Sequence, residues 1–428
     1  TACVIGSSHS TNAHQWGAHD EFGQTMTMVF QRIGKATFHL MCIIALLLAT
    51  SNRSRSKPAS DYKPAVLKLI STINPTQSDS SFLDTILIPS TGEPAAQRIQ
   101  IEPKQFTRLL SQFYSQVASL RTIKTSDESA PARRLHEILI GPLDKEIRKR
   151  NITTLLISAN TGLQAVPFAA LHDGEEWFGT RYSFSLTPSL SLMKQHQAGL
   201  KASQKALLAG SSTFQGLAPL PMVPQEIEQI SKVRAGNIYL NENFTRQLFD
   251  SLSDNSDVDL VHLSTHAEFL PGGPEKSKIY LGQGSLSVKE FAGIRLSRED
   301  NPFELFTLSA CRTALGDRDS ELGLAGLALQ AGAKTAIGSL WYVDDLATTV
   351  YFIRFYRLLD QGLPKGEAMR QVRDELANNQ IEIRNHSLYD RDGEILIKDL
   401  TPSQKRKLKS RLDHPFFWAA PIMLGLPW

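Results

Sequence analysis

The second half of the chain alternates short apolar runs with amphipathic segments, and this alternation restricts the fold more than any other feature of the sequence. Runs such as Leu305–Cys311 and Lys334–Trp341 are rich in apolar residues, as strands are when both faces of a sheet are covered. Strands that alternate with helices predict an α/β fold with a largely parallel sheet. Strands are predicted at Lys205–Gly210, Asn237–Leu240, Asp259–His266, Lys278–Gly282, Leu305–Cys311 and Lys334–Trp341, and helices at Pro224–Val233, Thr245–Leu252, Ser320–Ala331, Ala347–Gln361 and Pro364–Ala377.

The first half of the chain is interpreted as structural, because its ionisable residues form no cluster with an assignable chemistry. Its apolar residues predict extended segments and two helices. The extended segments are Phe82–Pro89, Arg98–Ile101, Thr153–Ser158, Pro167–Leu171 and Tyr182–Leu186, and the helices run from Phe106 to Leu120 and from Ala132 to Arg150. A polar linker, Lys194–Gln204, separates the halves, so we divide the chain into a leader over 1–60, an N-terminal half over 61–200 and a second half over 201–428.

Cysteine usage and charge exclude several classes of protein. The 428-residue chain has a net charge of +3, which is too small to favour nucleic acid or a membrane surface as a partner. Of its three cysteines, Cys3 and Cys42 lie in the first fifty residues and Cys311 stands alone in the folded body. A disulfide framework and a cysteine-based zinc site are therefore excluded there. A lone cysteine is either an inert core residue or a nucleophile.

The first sixty residues differ from the rest. Arg32 and Lys35 precede an apolar run over residues 40–49, which is shorter than the ~20 residues that a membrane-spanning helix needs. The run has the form of a signal-peptide core if translation begins near Met26 or Met28, and a disordered leader is the alternative. We expect no stable membrane span and a cytoplasmic location, with export or tethering through residues 40–49 as the alternative.

Residues 379–413 are interpreted as a polar insertion that ends in a helix. The segment Thr401-Pro402-Ser403-Gln404 is a capping box with proline at the first helical position. A run of cations follows, and we interpret it as a solvated face, with a partner-docking patch as the alternative. The cations are Lys405, Arg406, Lys407, Lys409 and Arg411. The apolar stretch Phe416–Leu424 predicts a closing strand.

Two reactive side chains stand where a buried strand ends and a polar loop begins. These residues are His266 and Cys311, 45 positions apart. Sites in parallel sheets form at the carboxyl ends of strands, so the two side chains can meet above neighbouring strands. His262 lies inside its strand and is interpreted as a core histidine. Cys311 alone would indicate a buried core residue, but the placement of His266 favours a nucleophile.

The chemistry of this pair is that of nucleophilic catalysis. A thiol with its ordinary pKa of ~8.5 needs help at neutral pH, and a histidine within hydrogen-bond reach can take its proton. Loops at strand ends supply the backbone N–H donors that stabilise a tetrahedral intermediate. The caspase pattern Q-A-C-[RQG]-G, with a histidine upstream, is met in part by Ala310-Cys311-Arg312. Ser309 and Thr313 replace its Gln and Gly.

Four motifs in order resemble the CHAT domain, a family grouped with caspases, gingipains and separases. The motifs are His262–His266, Leu308–Thr313, Ile337–Asp345 and His414–Ala419. The resemblance covers about residues 131–425 and implies a caspase-like three-layer α/β/α sandwich with a mostly parallel sheet, preceded by a smaller, inactive caspase-like half. The family commonly carries TPR repeats, whose 34-residue period is absent from this sequence. A sensor or TPR-type regulatory partner would then lie on another chain.

The resemblance also assigns residues. Cys311 matches the family's nucleophile and His266 its base, and the backbone N–H groups of Ala267 and Cys311 match the oxyanion site. The family usually has glycine at position 267, and alanine resists a positive φ. Asp344 and Asp345 match the stretch that lines the P1 pocket of separase-like relatives, where a carboxylate favours Arg or Lys. The alternative is that an aspartate here caps the following helix, and one residue could take each role.

These observations predict a cysteine endopeptidase that cleaves protein substrates through a Cys-His dyad, in a regulated signalling or defence pathway of bacterial type. The alternative is a catalytically silent CHAT scaffold or signalling module, which Ala267 favours. No cofactor and no metal are expected. Nucleic acid is not an expected partner, and the phosphate-loop pattern fails at Gly332-Ala333-Lys334-Thr335 by one residue.

Overall fold

A computed structural model gives the architecture of residues 62–74, 80–160, 162–187, 204–252, 257–268, 275–293, 302–310 and 332–428, together with 326, 328 and 329. Contacts divide the chain into two compact units, Thr1–Ile44 and Ala45–Trp428, and every described residue lies in the second. The predicted leader, the linker Lys194–Gln204 up to residue 203, and almost all of the predicted helix Ser320–Ala331 lie outside the described residues.

Strands and helices are numbered along the described part of the chain. The strands are β1 Pro64–Ile73, β2 Ser81–Pro89, β3 Ala95–Ile101, β4 Thr154–Ala159, β5 Ser183–Thr187, β6 Lys205–Gly210, β7 Gly236–Leu240, β8 Val258–Ser264, β9 Ala267–Glu268, β10 Lys278–Tyr280, β11 Ser285–Ser287, β12 Leu305–Ser309, β13 Thr335–Ser339, β14 Glu382–Arg384, β15 Ser387–Tyr389, β16 Ile395–Ile397 and β17 Pro421–Gly425. The helices are α1 Pro103–Ala118, α2 Pro131–Leu139, α3 Gly141–Lys149, α4 Phe178–Arg181, α5 Val223–Ser231, α6 Arg246–Asp250, α7 Val288–Gly293, α8 Asp345–Asp360, α9 Lys365–Ala377, α10 Pro402–Arg411 and α11 Pro415–Trp418.

One large sheet runs through both halves of the chain. Its eleven strands lie in the order β3-β2-β1-β4-β5-β17-β13-β12-β8-β6-β7. Pairing is parallel from β1 through β4 and β5 to β17, and again from β13 to β7. It is antiparallel at β13–β17 and at the β1–β2–β3 edge. The prediction of a mixed α/β fold with a mostly parallel sheet is confirmed.

Helices cover both faces of the sheet. Every position of β12 is buried, and neighbouring residues on a strand point to opposite faces. On one face, Thr307 accepts a hydrogen bond of 3.2 Å from the Tyr356 hydroxyl of α8. On the other, Phe306 packs edge-on against Phe291 of α7, with ring centroids 5.6 Å apart. The second half of the chain therefore has the three-layer α/β/α arrangement that was predicted.

The last strand joins the two halves. β17 lies between β5 of the first half and β13 of the second. The Ser185 hydroxyl of β5 donates 2.7 Å to the carbonyl of Gly425. Whether residues 61–200 are an inactive peptidase half stays a prediction.

The insertion is a small structure of its own. Strands β14, β15 and β16 form an antiparallel sheet, and helix α10 follows. The Thr401 hydroxyl accepts from the Gln404 N–H at 3.2 Å, while the Gln404 side chain accepts from the Thr401 N–H at 2.8 Å. The predicted capping box is confirmed.

One predicted helix is wrong in its extent. The pattern from Ala132 to Arg150 predicts one helix, but the structure has two, α2 and α3. The chain breaks at Ile140 because Pro142 has no N–H to donate to the Ile138 carbonyl, and its ring would clash with that carbonyl in a continuous helix. Proline is well tolerated in the first turn, so the second helix begins there.

Two predicted extended segments are also corrected. Pro167–Leu171 contains a 3-10 helix at Phe168–Ala170. Phe416–Leu424 begins in helix α11, where His414 caps and Pro415 opens a helical turn, and only its second part forms β17. In both segments a proline favours a helical turn at the start of an apolar run. The apolar run alone predicts a strand there.

No helix among the described residues has the length and apolar character needed to cross a membrane.

Candidate active site

The strand order changes direction between β6 and β8. From β6 the chain moves outward to β7 and then returns to the other side of β6 as β8. Ligands bind at such switch points, beyond the carboxyl ends of the strands. The ends are level with one another, since Gly210 pairs with Ser264, and Ser264 with Ser309 of β12. A Cβ on Gly210 would lie 2.5 Å from the Ser264 carbonyl oxygen, so glycine permits this close approach.

His266 lies at this edge, two residues past the end of β8. Its half-buried imidazole donates from Nε2 to the Ala218 carbonyl oxygen at 2.8 Å. The Phe214 ring lies beside it, with centroids 4.7 Å apart. Because a carbonyl oxygen only accepts, Nε2 carries the proton and Nδ1 keeps a lone pair in the neutral ring. The Tyr280 N–H donates to the His266 carbonyl at 2.9 Å and anchors its backbone.

Ala267 does not have the conformation that would penalise alanine. It forms strand β9 and pairs with Ile279 of β10, and it is absent from the non-glycine residues with positive φ in the described part of the chain. The next pair along the two strands, Tyr280 and His266, is hydrogen-bonded. Because hydrogen-bonded and non-hydrogen-bonded pairs alternate between antiparallel strands, Ala267 and Ile279 form a non-hydrogen-bonded pair. The Ala267 N–H therefore points away from β10.

Cys311 lies outside the described residues. The strand that leads to it, β12, ends at Ser309, and Ala310 is buried. The Thr265 N–H donates to the Ser309 carbonyl at 3.3 Å, which ties the chain just before His266 to the end of β12. The dyad of His266 and Cys311 stays a prediction.

His262 is a core histidine, as predicted. Its side chain is fully buried, and its Nε2 lies 2.8 Å from Glu226 Oε1. The other oxygen of Glu226 accepts 2.9 Å from the Thr349 hydroxyl. The rings of Phe352 and Tyr356 pack edge-on against the imidazole at 5.4 and 5.3 Å. His262 thus joins β8 to α5 and α8 beneath the candidate site.

Asp344 follows β13 at the same edge and caps helix α8. One carboxylate oxygen accepts 3.1 Å from the Ala347 N–H, and the other forms an ion pair with Lys407 of α10. The helix-capping alternative for this residue is confirmed. A substrate cation would have to displace Lys407 to reach the carboxylate.

Asp345 has a different partner. Its Oδ2 accepts 3.0 Å from the Met222 N–H at the start of α5. Burial raises the pKa of Asp345 to about 7. The carboxylates of Glu226 and Asp344 act in the same direction, while the Met222 N–H and Lys407 oppose it.

Neutralising Asp345 is expected to stabilise the protein in a pH-dependent way. Its folded-state pKa is raised, so the stability it contributes is present at low pH and is lost as the pH rises towards about 7. We expect Asp345→Asn to raise the free energy of unfolding by about 1–3 kcal/mol at pH 8 and by about a third of that at pH 5. Urea unfolding at both pH values measures this, with Asp374→Asn on α9 as control. An equal change at both pH values would contradict the assignment.

The sequence analysis missed the groups that hold His266. The Ala218 carbonyl and the Phe214 ring both lie in the loop after β6. Backbone groups carry no signal in residue identity. Only the pairing of β6 with β8 brings this loop to the histidine.

The described residues hold no group of three or more His, Cys, Asp or Glu side chains arranged as metal ligands. The prediction of no metal and no cofactor rests on the sequence.

The chain belongs to the class of mixed α/β proteins whose candidate site lies at the carboxyl edge of a large, mostly parallel sheet. The CHAT domain family matches residues 129–426, and the chain is a member of that family. No curated protein matches the chain.

Solved structures with a similar fold are separases and gingipains. A separase–securin complex from Saccharomyces cerevisiae is 12% identical and covers 86% of this chain and 30% of that chain, with a TM-score of 0.47. A second structure of that complex is 14% identical and covers 64% of this chain and 16% of that chain, with a TM-score of 0.40. The Arg-specific cysteine proteinase gingipain R is 10% identical and covers 76% of this chain and 75% of that chain, with a TM-score of 0.41. The chain thus spans less than a third of the separase chains.

Proposed function

We propose that this CHAT protein is a cysteine endopeptidase, with Cys311 as nucleophile and His266 as general base. The observation that carries the proposal is the hydrogen bond of 2.8 Å from His266 Nε2 to the Ala218 carbonyl. It fixes a proton on Nε2 at the carboxyl edge of the sheet, so that Nδ1 is the proton acceptor whenever the ring is neutral. Cys311 follows the end of the neighbouring strand β12 by two residues, as His266 follows β8.

In the proposed reaction the Cys311 thiol gives its proton to His266 Nδ1, and the thiolate attacks the carbonyl carbon of the scissile peptide. The tetrahedral intermediate collapses as the C–N bond breaks and His266 returns the proton to the leaving amine. Water, deprotonated by the same nitrogen, then hydrolyses the thioester and regenerates the thiol. No oxidant, reductant or cofactor is needed.

The oxyanion of the intermediate is proposed to bind backbone N–H groups of Ala267 and Cys311. Two observations support the part played by Ala267. Its N–H points away from β10, and the residue follows the proposed base directly. Alanine at this position has no positive φ, so it gives no structural support to the silent-scaffold alternative.

Cleavage after Arg or Lys is a further part of the proposal. Asp344 is the carboxylate that this part uses, since it lies at the site edge, and the P1 cation would take the place of Lys407 beside it. The carboxylate of Asp345 instead accepts a hydrogen bond from the Met222 N–H. A protein substrate, a separate regulatory partner and a role in signalling or defence remain predictions from the sequence.

The test is covalent labelling with acyloxymethyl-ketone peptides that carry Arg, Lys or Asp at P1. We expect the wild-type protein to be modified on the tryptic peptide that contains Cys311, and Cys311→Ala to stay unmodified. Faster labelling by the Arg and Lys probes supports the P1 preference. If no probe labels a protein whose circular dichroism and unfolding are normal, the silent scaffold is the better description.

A further inference from the structure

The loop after β6 is the element that links His266 to the rest of the site. It is held at its start, where the Ser211 N–H donates 3.1 Å to the Ser264 carbonyl. It closes on itself through the Leu220 N–H, which donates 3.0 Å to the Ser212 carbonyl. Ala218 is exposed and lies between Ser212 and Leu220, the residues joined by this hydrogen bond. The position of the Ala218 carbonyl therefore depends on how the two ends of the loop are held.

Asp345 holds the far end of the loop. Met222 is the residue before helix α5, has helical backbone angles and has no side-chain cap. Its N–H is one of the donors that a helix start leaves without an intrahelical partner. The carboxylate of Asp345 on α8 accepts this N–H at 3.0 Å and so caps a helix other than its own. Met222 is buried, so water is a poor substitute.

The neighbouring aspartate leaves Asp345 available for this contact. Asp344 already accepts the Ala347 N–H and caps α8. Asp345 is therefore not needed at the start of its own helix, and even a half-buried carboxylate without a partner is costly. The hydrogen bond from the Met222 N–H supplies that partner. Met222 lies four residues after Ala218 in the chain.

We propose that Asp345 is a positioning residue for His266: through the Met222 N–H it holds the loop of residues 211–222, so that the Ala218 carbonyl keeps the proton of the imidazole on Nε2. This inference rests on the proposed function for its catalytic meaning, because the tautomer leaves Nδ1 as the base. It replaces the predicted role of Asp345 in binding the P1 side chain. Asp345 contacts neither substrate nor thiol in this account.

The experiment reads the His266 tautomer directly. Long-range proton–nitrogen correlation spectra of protein labelled with nitrogen-15 histidine separate the two neutral tautomers, and His266→Gln identifies the signal. We expect the Nε2–H tautomer in wild type and in Asp345→Asn, whose amide oxygen can still accept the Met222 N–H. Asp345→Leu removes the acceptor, and we expect it to show a mixture. Asp374→Leu on α9 is the matched control and should resemble wild type.

A wild-type tautomer in Asp345→Leu would overturn the proposal. A mixture in both Asp345→Asn and Asp345→Leu would also overturn it, because charge and not the hydrogen bond would then matter. The readout needs no activity, so the positioning role can hold even if no probe labels Cys311.

Inactivation kinetics with the ketone probes separate positioning from substrate binding. A positioning residue affects the maximal inactivation rate for every P1 side chain, so Asp345→Leu should slow the probes with Arg and with Asp at P1 by the same factor, on the order of tenfold or more. A loss confined to the Arg probe, seen as weaker binding, would restore the substrate-binding role and overturn our assignment.

Discussion

Replacing His266 with alanine is expected to lower the rate of peptide cleavage by about 10²–10⁴-fold. The imidazole is the proposed acceptor of the thiol proton, and His266 follows the end of β8, the strand that pairs with β12. The labelling rate of Cys311 should also change its pH dependence. Without an internal base the thiol must ionise by itself, so the rate in the variant should keep rising up to the ordinary thiol pKa of ~8.5.

Second-order labelling rates between pH 5 and 9 measure this effect, with His386→Ala as control. His386 lies on the exposed turn between β14 and β15, and its removal should leave the profile unchanged. If His266→Ala labels as fast as wild type across this range, His266 is not the base. Labelling that persists in Cys311→Ala would instead show that another group reacts with the probe.

Replacing Arg354 with methionine is expected to destabilise the fold by about 3–5 kcal/mol. The Arg354 side chain is 4% exposed and lies among three carboxylates. It donates 2.8 and 2.7 Å to the two oxygens of Glu375 on α9 and 3.0 Å to Asp390 in the insertion. A further bond of 2.7 Å reaches Asp392. The side chain of Glu375 is 3% exposed and that of Asp390 is fully buried, so the variant leaves two buried carboxylates without this cation.

Urea unfolding measures this loss, with Arg384→Met as control. Arg384 pairs with Glu382 in the same insertion, but both side chains are at least half exposed, so the change should cost less than about 1 kcal/mol. Neutralising the partners as well, in Arg354→Met with Glu375→Gln and Asp390→Asn, should recover much of the loss. If Arg354→Met costs no more than Arg384→Met, the cluster does not hold the insertion on α8 and α9.

The fold class was predictable because the strands of the second half are buried on both faces and are therefore composed mainly of apolar residues. The prediction of Lys205–Gly210 matches β6 residue for residue, since the strand is apolar after its first residue. The first strand, Pro64–Ile73, was not predicted, and Lys68 interrupts its apolar pattern. The helix over Ala132–Arg150 was wrong in extent because apolar spacing was followed across Pro142. The strand over Phe416–Leu424 was wrong in extent because it was begun directly after Pro415, which opens a helical turn.

The candidate site was predictable only in part. His266 stands out by its place at the end of an apolar run, and the structure has it at the carboxyl edge of the sheet. The two aspartates were expected to line a P1 pocket or to cap the following helix, with one residue able to take each role, and the structure gives each a different partner. Asp344 binds Lys407 and caps its own helix, while Asp345 reaches the start of α5. Side chains of adjacent residues diverge in direction, and residue type alone does not specify which partner each meets.

By itself the sequence determined the fold class, the CHAT family, the place of His266 at a strand end and the core role of His262, because local burial patterns and family motifs can be recognised from residue types. Only the tertiary structure decided what holds His266. The Ala218 carbonyl is a backbone group that every residue has, and the Met222 N–H is one that every residue other than proline has. They act on His266 because β6 and β8 pair across the switch point, and because α8 brings Asp345 to the start of α5.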